Sequence, residues 1–507
     1  MFIKITCLVI FILITIAVGL YSRTRVRGVN DFLLGNRNMG PWISAFAYGT
    51  TYFSAVVFVG YAGKFGWANG LSVVWIGIGN AVIGCLLAWI VMGKRTRIMT
   101  HKLNASTMPE FFGARYDSKA MKIVSAVVIF VFLVPYTASI YKGLGFMFES
   151  AFGISMNTII LIMTVLTGIY LILGGYVATA LNDFIQGIIM IVGVILMVVF
   201  VLSRPEVGGI AHGLQALANT GDKNVSGGQL VSIFGPSPWK LGALVLMTSL
   251  GTWGLPQMLH KFYAIKDEKA IKRGTIIATV FALIIGGGAY FTGVFGRVIL
   301  NNTVPTDSAG VANMGLIIPQ MLNALPVALM GVIIVLMLSA SMSTLSSLVL
   351  VSSSVISIDL IKGFIKPDID QKKSMFNMRI FCLAFVVLSY IMAIWQNPTI
   401  DALMSVSWGV ISGMFIAPYL FGLLWKGTTR IGAWAGFAAG FITMTIGMII
   451  ELSKPGVTMA NAFIPAIASI TMLVSLVVVP VVSLVTKKYE VDHLKKVFDP
   501  VADENVA

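Results

Sequence analysis

The chain has 507 residues, of which 57% are apolar or aromatic (AVILMFWYC) and 11% are Asp, Glu, Lys or Arg, far below the roughly 25% charge that a water-exposed globular surface carries. Three cysteines cannot make a disulfide framework, and dominant apolar runs exclude collagen-like and disordered classes. The net charge of +15 would suit nucleic acid if the basic residues formed a patch, and a cytoplasmic membrane face if they gathered in alternate loops.

Apolar windows of about 20 residues predict about thirteen transmembrane helices. They cover residues 2–21, 42–62, 71–91, 123–148, 156–173, 184–202, 241–259, 275–298, 327–354, 379–395, 402–425, 433–451 and 462–485. The first has its basic residues, Arg23, Arg25 and Arg27, after the apolar stretch, the reverse of a signal peptide. Lys94, Arg95, Arg97 and Lys102 follow the third span, Lys266 to Arg273 the seventh, and Lys362 to Lys373 the ninth. The same face receives Lys426, Arg430 and the tail lysines, while the opposite face has little beyond Lys64, Arg204, Lys223 and Lys454. Positive charge is retained inside, so the amino terminus is expected outside and the carboxyl terminus in the cytoplasm. The partner of this surface is a lipid bilayer, and the nucleic-acid reading falls away.

Three spans break the rule that a membrane helix satisfies its backbone internally. The second reads Tyr48-Gly-Thr-Thr-Tyr-Phe-Ser-Ala and then Gly60-Tyr-Ala-Gly63; the seventh reads Met247-Thr-Ser-Leu-Gly-Thr-Trp-Gly-Leu-Pro-Gln257. Small residues in such runs also serve close helix packing. Omitting the first helix, however, the second and seventh spans each open a set of five. Interruptions at corresponding positions of two halves point to an inverted-repeat carrier whose unwound backbone holds a cation. The ninth span, Leu338-Ser-Ala-Ser-Met-Ser-Thr-Leu-Ser-Ser347, supplies neutral hydroxyl oxygens to replace a hard ion's water. Ser and Thr hydroxyls that bond back to their own helix are the bland alternative.

Few ionisable residues fall within spans. Asp183, in Leu181-Asn-Asp-Phe-Ile-Gln186, reads either as a functional carboxylate or as an interfacial N-cap of the sixth span. Lys142 and Glu149 read as snorkelling near an outer helix end, and His260 with Lys261 as interfacial. No His/Cys/carboxylate cluster has metal-site spacing and no P-loop or serine-nucleophile motif is present, which argues against a primary pump and against a membrane-embedded metalloenzyme; the chain is expected not to be an enzyme.

These stretches, with Phe32-Leu-Leu-Gly-Asn-Arg37, Pro109-Glu-Phe-Phe-Gly-Ala-Arg-Tyr116, Gly174-Gly175…Asp183…Gln186, Met342-Ser-Thr-Leu-Ser346 and Leu420-Phe-Gly-Leu-Leu-Trp-Lys426, resemble the sodium:solute symporter family, and its bacterial sodium/proline members in particular. The resemblance implies an all-α, LeuT-type five-plus-five inverted repeat with extra terminal helices, and sodium-coupled symport of a small organic solute such as an amino acid or related carboxylate. Its division would be 1–40 for the first helix and loop, 41–203 and 239–425 for the repeats, 426–486 for two further helices, and 487–507 for a cytoplasmic tail. It further implies a sodium site of the backbone oxygens of Thr50, Phe53 and Ala340 and the hydroxyls of Ser343 and Thr344. The substrate would lie near Tyr52, Ser54, Val56, Val57, Thr248, Thr252, Trp253 and Pro256, with Asp183 on the ion's way out. Proline carriers of the family have an acidic residue and a Trp where Tyr52 and Val56 stand, and sugar carriers a Glu-Gln pair where Val56-Val57 stands. Sugar is therefore disfavoured and proline weakened.

Overall fold

The computed structural model describes residues 2–23, 29–307, 310–395 and 399–499, without the side chains of residues 22, 23, 29, 30, 167 and 169–175. Arg25, Arg27 and the end of the tail, residues 500–507, lie outside the described residues. The described chain is almost entirely helical. Its main elements are α1 (Phe2–Arg23), α2 (Pro41–Tyr52), α3 (the π-helical Val56–Ala62 running into Gly63–Asn69), and α4 (Val74–Gly79, continuing through π-helical Asn80–Leu87 and Trp89–Gly93 into Lys94–Lys102). Then come α5 (Met108–Arg115), α6 (Lys119–Phe152), α7 (Met156–Ser203), α8 (Pro238–Leu250), α9 (Pro256–Tyr263), α10 (Glu268–Val294) and α11 (Val327–Ser354, extended by π-helical Val355–Ile365). Completing the chain are α12 (Gln371–Ile394), α13 (Ile400–Leu424), α14 (Arg430–Leu452), α15 (Ile464–Val485) and α16 (Val491–Phe498).

Among the described residues, ten helical stretches are long and apolar enough to cross a membrane. The thirteen expected spans differ from these in three places. The second and third fall within one stretch, Pro41–Lys102. The seventh is divided between α8 and α9, neither long enough to cross alone. The fifth and sixth are joined in α7, whose backbone stays helical through Gly174, Gly175 and Asp183. Glycine and polar residues mark where apolar windows end, but they do not by themselves stop backbone hydrogen bonding. At 48 residues α7 would be about 72 Å long if straight, over twice the hydrocarbon thickness of about 30 Å.

Burial sorts these helices. In α13, 94% of the most apolar stretch is buried, and in the stretch containing α11, 72%; the corresponding figures are 17% for α1 and 28% for α14. The former are interior and the latter present their side chains to lipid. Around α2, α3, α8 and α9, the packed partners are α4, α6, α7, α10, α11, α13 and α15. Close approach is built in where α3 crosses α10. A Cβ on Gly66 would lie 2.4 Å from the carbonyl oxygen of Gly293, so this crossing requires hydrogen at that position.

At the other end of the bundle, α5 and the following turn cap α13. Arg115 Nε donates to the Gly422 carbonyl at 2.9 Å and Tyr116 Oη to that of Pro418. The tail returns onto this cap. Tyr489 Oη donates to the Tyr116 carbonyl at 2.8 Å, His493 Nε2 lies 3.0 Å from the Arg115 carbonyl, and the Arg115 guanidinium stands over the rings of Tyr489 and Phe498.

Candidate functional site

Both expected interruptions are present, and each has a local cause. Helix α2 begins at Pro41, whose missing N–H costs nothing in a first turn. It runs into Gly49-Thr-Thr, residues of low helix propensity, and ends with Phe53 in extended conformation (φ −107°, ψ 108°). Ser54 restarts the chain as α3, its Oγ accepting from the Val56 N–H at 3.3 Å. The second interruption passes from α8 through a 3₁₀ turn, Gly251–Trp253, to Leu255 in extended conformation (φ −83°, ψ 122°), and Pro256 opens α9.

The first break frees carbonyls toward α11. Ser343 Oγ donates to Thr50 O at 2.9 Å and lies 3.1 Å from Ala340 O; Thr344 Oγ1 lies 3.3 Å from Thr50 O, 3.2 Å from Thr51 O and 3.1 Å from Ala340 O. Thr51 Oγ1 and Ser347 Oγ are 3.0 Å apart, and the Ala55 N–H donates to Ser341 Oγ at 3.3 Å. Four of the five sequence-predicted ion residues, Thr50, Ala340, Ser343 and Thr344, therefore meet in one buried cluster. The fifth, Phe53, supplies the carbonyl at the break itself. The N–H groups of residues 55–58 are taken by Ser341 and Ser54, so none serves that carbonyl.

The expected substrate residues sort into two groups. Tyr52 and Thr248 meet across the breaks, Tyr52 Oη donating to the Thr248 carbonyl at 2.6 Å. Thr252 Oγ1 reaches the carbonyls of Gly84 (3.2 Å) and Ser249 (2.9 Å), and Trp253 Nε1 that of Ile83 (2.9 Å). Those α4 carbonyls belong to a π-helical stretch, a form common at functional sites. Ser54, Val56, Val57 and Pro256 are buried around the breaks; Ser54 caps α3 and Pro256 starts α9. Sequence reasoning missed Trp408 and Ser412 of α13. The Trp408 ring lies 6.3 Å from that of Tyr52 and 5.8 Å from that of Tyr136, and Ser412 Oγ donates to Gly251 O at 2.6 Å. Their signal was present, since Ser405-Val-Ser-Trp-Gly interrupts an apolar run much as the chosen stretches do.

Two ionisable readings need correction. Asp183 is not an interfacial N-cap: it lies inside α7, fully buried, with Oδ2 3.3 Å from Lys261 Nζ. Nor are His260 and Lys261 interfacial, because both are buried in α9, which turns inward from the break. Lys142 is also buried, and its Nζ donates to Trp395 O at 2.7 Å.

At the Lys64 end, Tyr61 Oη lies 3.0 Å from Ser405 Oγ, and Lys64 pairs with Asp401 at 2.7 Å. The same end holds a cavity of about 620 Å³ lined by Gly60, Lys64, Lys142, Asp307, Ile400 and Asp401, among others.

The sodium:solute symporter family model matches residues 32–440. The chain belongs to the sodium:solute symporter family. It is 29% identical over 489 residues to the osmoregulated proline transporter OpuE of Bacillus subtilis, covering 94% of each chain. It is also 29% identical over 515 residues to a sodium/proline symporter of Staphylococcus aureus, covering 98% of this chain and 96% of the other. A solved Na+-coupled sialic acid symporter, in a substrate-bound outward-open state, superposes with a TM-score of 0.77 at 18% identity, over 97% of this chain and 99% of that one. Mhp1, a nucleobase-cation-symport-1 family transporter solved in a closed conformation, gives 0.52 at 12% identity, over 92% and 97%. The fold is accordingly the LeuT-type inverted repeat of a multi-pass membrane transporter, and the co-transported ion of this symporter is sodium.

Proposed function

We propose that sodium is held where α2 ends against α11, by backbone oxygens of Thr50, Phe53 and Ala340 and by the hydroxyls of Ser343 and Thr344. The supporting observation is that both hydroxyls sit within hydrogen-bond distance of Thr50 O, a carbonyl left without its usual helical donor. A hydroxyl proton rotates, so each group can turn its lone pairs to an arriving cation and take up the carbonyl bond again when the ion leaves. A neutral oxygen cage also avoids burying a fixed charge in the membrane. In this reading Asp183 lines the ion's way out.

The solute is a small amino acid or related carboxylate, bound between the two breaks beside Tyr52, Thr248, Thr252, Trp253 and Trp408. The proline specificity in the names of the two relatives supports proline as the first compound to test. Buried hydroxyls and the positive end of α9 at Pro256 suit a carboxylate. The two repeats are residues 41–203 and 239–425, in the cytoplasmic membrane with the amino terminus outside. The chain moves its solute without covalent chemistry. One sodium ion crossing 100 mV releases about 2.3 kcal/mol, and a tenfold gradient adds about 1.4 kcal/mol, enough for a several-hundredfold accumulation of a neutral solute.

The test is uptake into proteoliposomes under imposed sodium gradients, with proline first and then other amino acids, monocarboxylates and vitamins. Ser343→Ala and Thr344→Ala should each raise the sodium concentration for half-maximal uptake about tenfold, the equivalent of about 1.4 kcal/mol, at unchanged protein level. Unaltered sodium dependence in both variants removes the site.

A further inference from the structure

The cavity of about 620 Å³ at the Lys64 end is lined, among the described residues, by two ammonium groups, Lys64 and Lys142, and three carboxylates, Glu149, Asp307 and Asp401. Lys64 and Asp401 pair at 2.7 Å and cancel, so the rest of the lining presents one ammonium and two carboxylates. Lys142 is 4% exposed, and a charge kept within a membrane helix is a functional group by default. Its Nζ is held at the cavity wall by the Trp395 carbonyl at 2.7 Å. Glu149 lies seven residues further along α6, two turns on and on the same face, about 10 Å away along the axis. It stands near enough to Asp307 for the two carboxylates to repel each other, and an arriving cation relieves that repulsion. The Thr399 hydroxyl, also on the lining, is buried without a hydrogen-bond partner among the described residues.

These groups form a template for a solute that carries both charges. Two charge-assisted hydrogen bonds of about 2.8 Å, with a small zwitterion between them, take up most of the span from Lys142 to Glu149. A monocarboxylate satisfies Lys142 but sets its own negative charge against the carboxylate pair, and such an arrangement rejects by repulsion. The cavity also adjoins the way inward. Gly60 on its lining belongs to α3, the helix that restarts at the first break, and Tyr61 beside it meets Ser405.

We propose that this cavity is an entry site for zwitterionic amino acids: Lys142 receives the carboxylate, Glu149 and Asp307 receive the ammonium, and monocarboxylates are turned away before they reach the breaks. The proposal rests on the carrier reading above for its place on the solute's route, and it narrows the solute of that reading to the zwitterionic class.

The experiment is saturation-transfer NMR on the purified full-length chain in lipid nanodiscs, in potassium chloride without sodium. It uses two probes of one shape, proline and tetrahydrofuran-2-carboxylate, the second of which lacks the ammonium. Proline should bind, and its isostere should bind about fivefold more weakly, the effect of one partly solvated charge pair. Lys142→Met and Glu149→Gln should each weaken proline binding by about the same factor. Glu149 is half-buried near the end of α6, so its variant decides the matter even where Lys142→Met does not fold. Absence of a proline signal overturns the proposal. So does equal binding of the two probes, or a folded Glu149→Gln chain that binds proline like the unaltered one. Failure of the carrier reading would appear separately, as proline binding that persists in potassium but neither rises in sodium nor leads to sodium-driven uptake.

Discussion

The two helix breaks use their liberated backbone differently. At the first, the carbonyls of Thr50 and Thr51 are met by rotatable hydroxyls on α11, groups that can release them without moving a helix. At the second, Gly251 O is held by Ser412, and the Thr252 and Trp253 side chains are anchored to α4 carbonyls. A Cβ on Gly254 would lie 2.7 Å from the Ser412 Cα and 3.1 Å from the Ile416 nitrogen. The first break is poised to exchange partners, whereas the second is wedged between two helices and can shift only with them. An ion site needs the former property, and a hinge that follows a solute needs the latter.

The largest effect should come from breaking the wedge. Gly254→Val places new atoms against backbone that cannot yield cheaply, and overpacking of this kind costs about 1–3 kcal/mol or more. Loss of folded protein in size-exclusion chromatography, with uptake falling in step, is the expected result. Normal yield and uptake would show the second break to be looser than the first.

Bridging the breaks is the next test. Tyr52→Phe removes the hydrogen bond to Thr248 O and keeps the ring against Trp408. A hydrogen bond of this kind is worth about 1 kcal/mol, or roughly a fivefold change in an equilibrium. Half-saturation for solute should rise by about that factor while the sodium dependence moves less. The reverse pattern would assign Tyr52 to the ion site. The smallest effect belongs to Ser54→Ala, which deletes the cap of α3 and should lower thermal stability by about 0.5–2 kcal/mol of cap energy in a melting experiment. A melting temperature equal to that of the unaltered chain would leave the restart of α3 to packing alone.

What the sequence disclosed, and what it withheld, follow the same physics. Apolar windows located the spans because hydrocarbon demands a length, and Gly49-Thr-Thr with Ser54 disclosed the first break because those residues weaken a helix locally. Ser343 and Thr344 stood out because hydroxyls are conspicuous in an apolar helix, and both lie against Thr50 O. Windows failed at α7, where a run ended but the helix did not. They also failed at Asp183 and Lys261, where proximity to a span's end was taken for proximity to water; burial there is decided by α9 turning inward from the break, a tertiary fact. Trp408 and Ser412 were passed over because aromatic and small residues in a membrane helix are ordinary packing until a neighbour's carbonyl is known to face them.

The tail that folds back onto the cap of α13 has a practical consequence. Because Tyr489, His493 and Phe498 grip the Arg115–Tyr116 corner, and that corner grips Gly422 and Pro418, a tilt of α13 would be transmitted to α16. A fluorophore attached just beyond Phe498 would then act as a remote lever arm, reading out the rocking of a helix buried at the heart of the carrier. A bulky fusion at the same point would act as a brake on it.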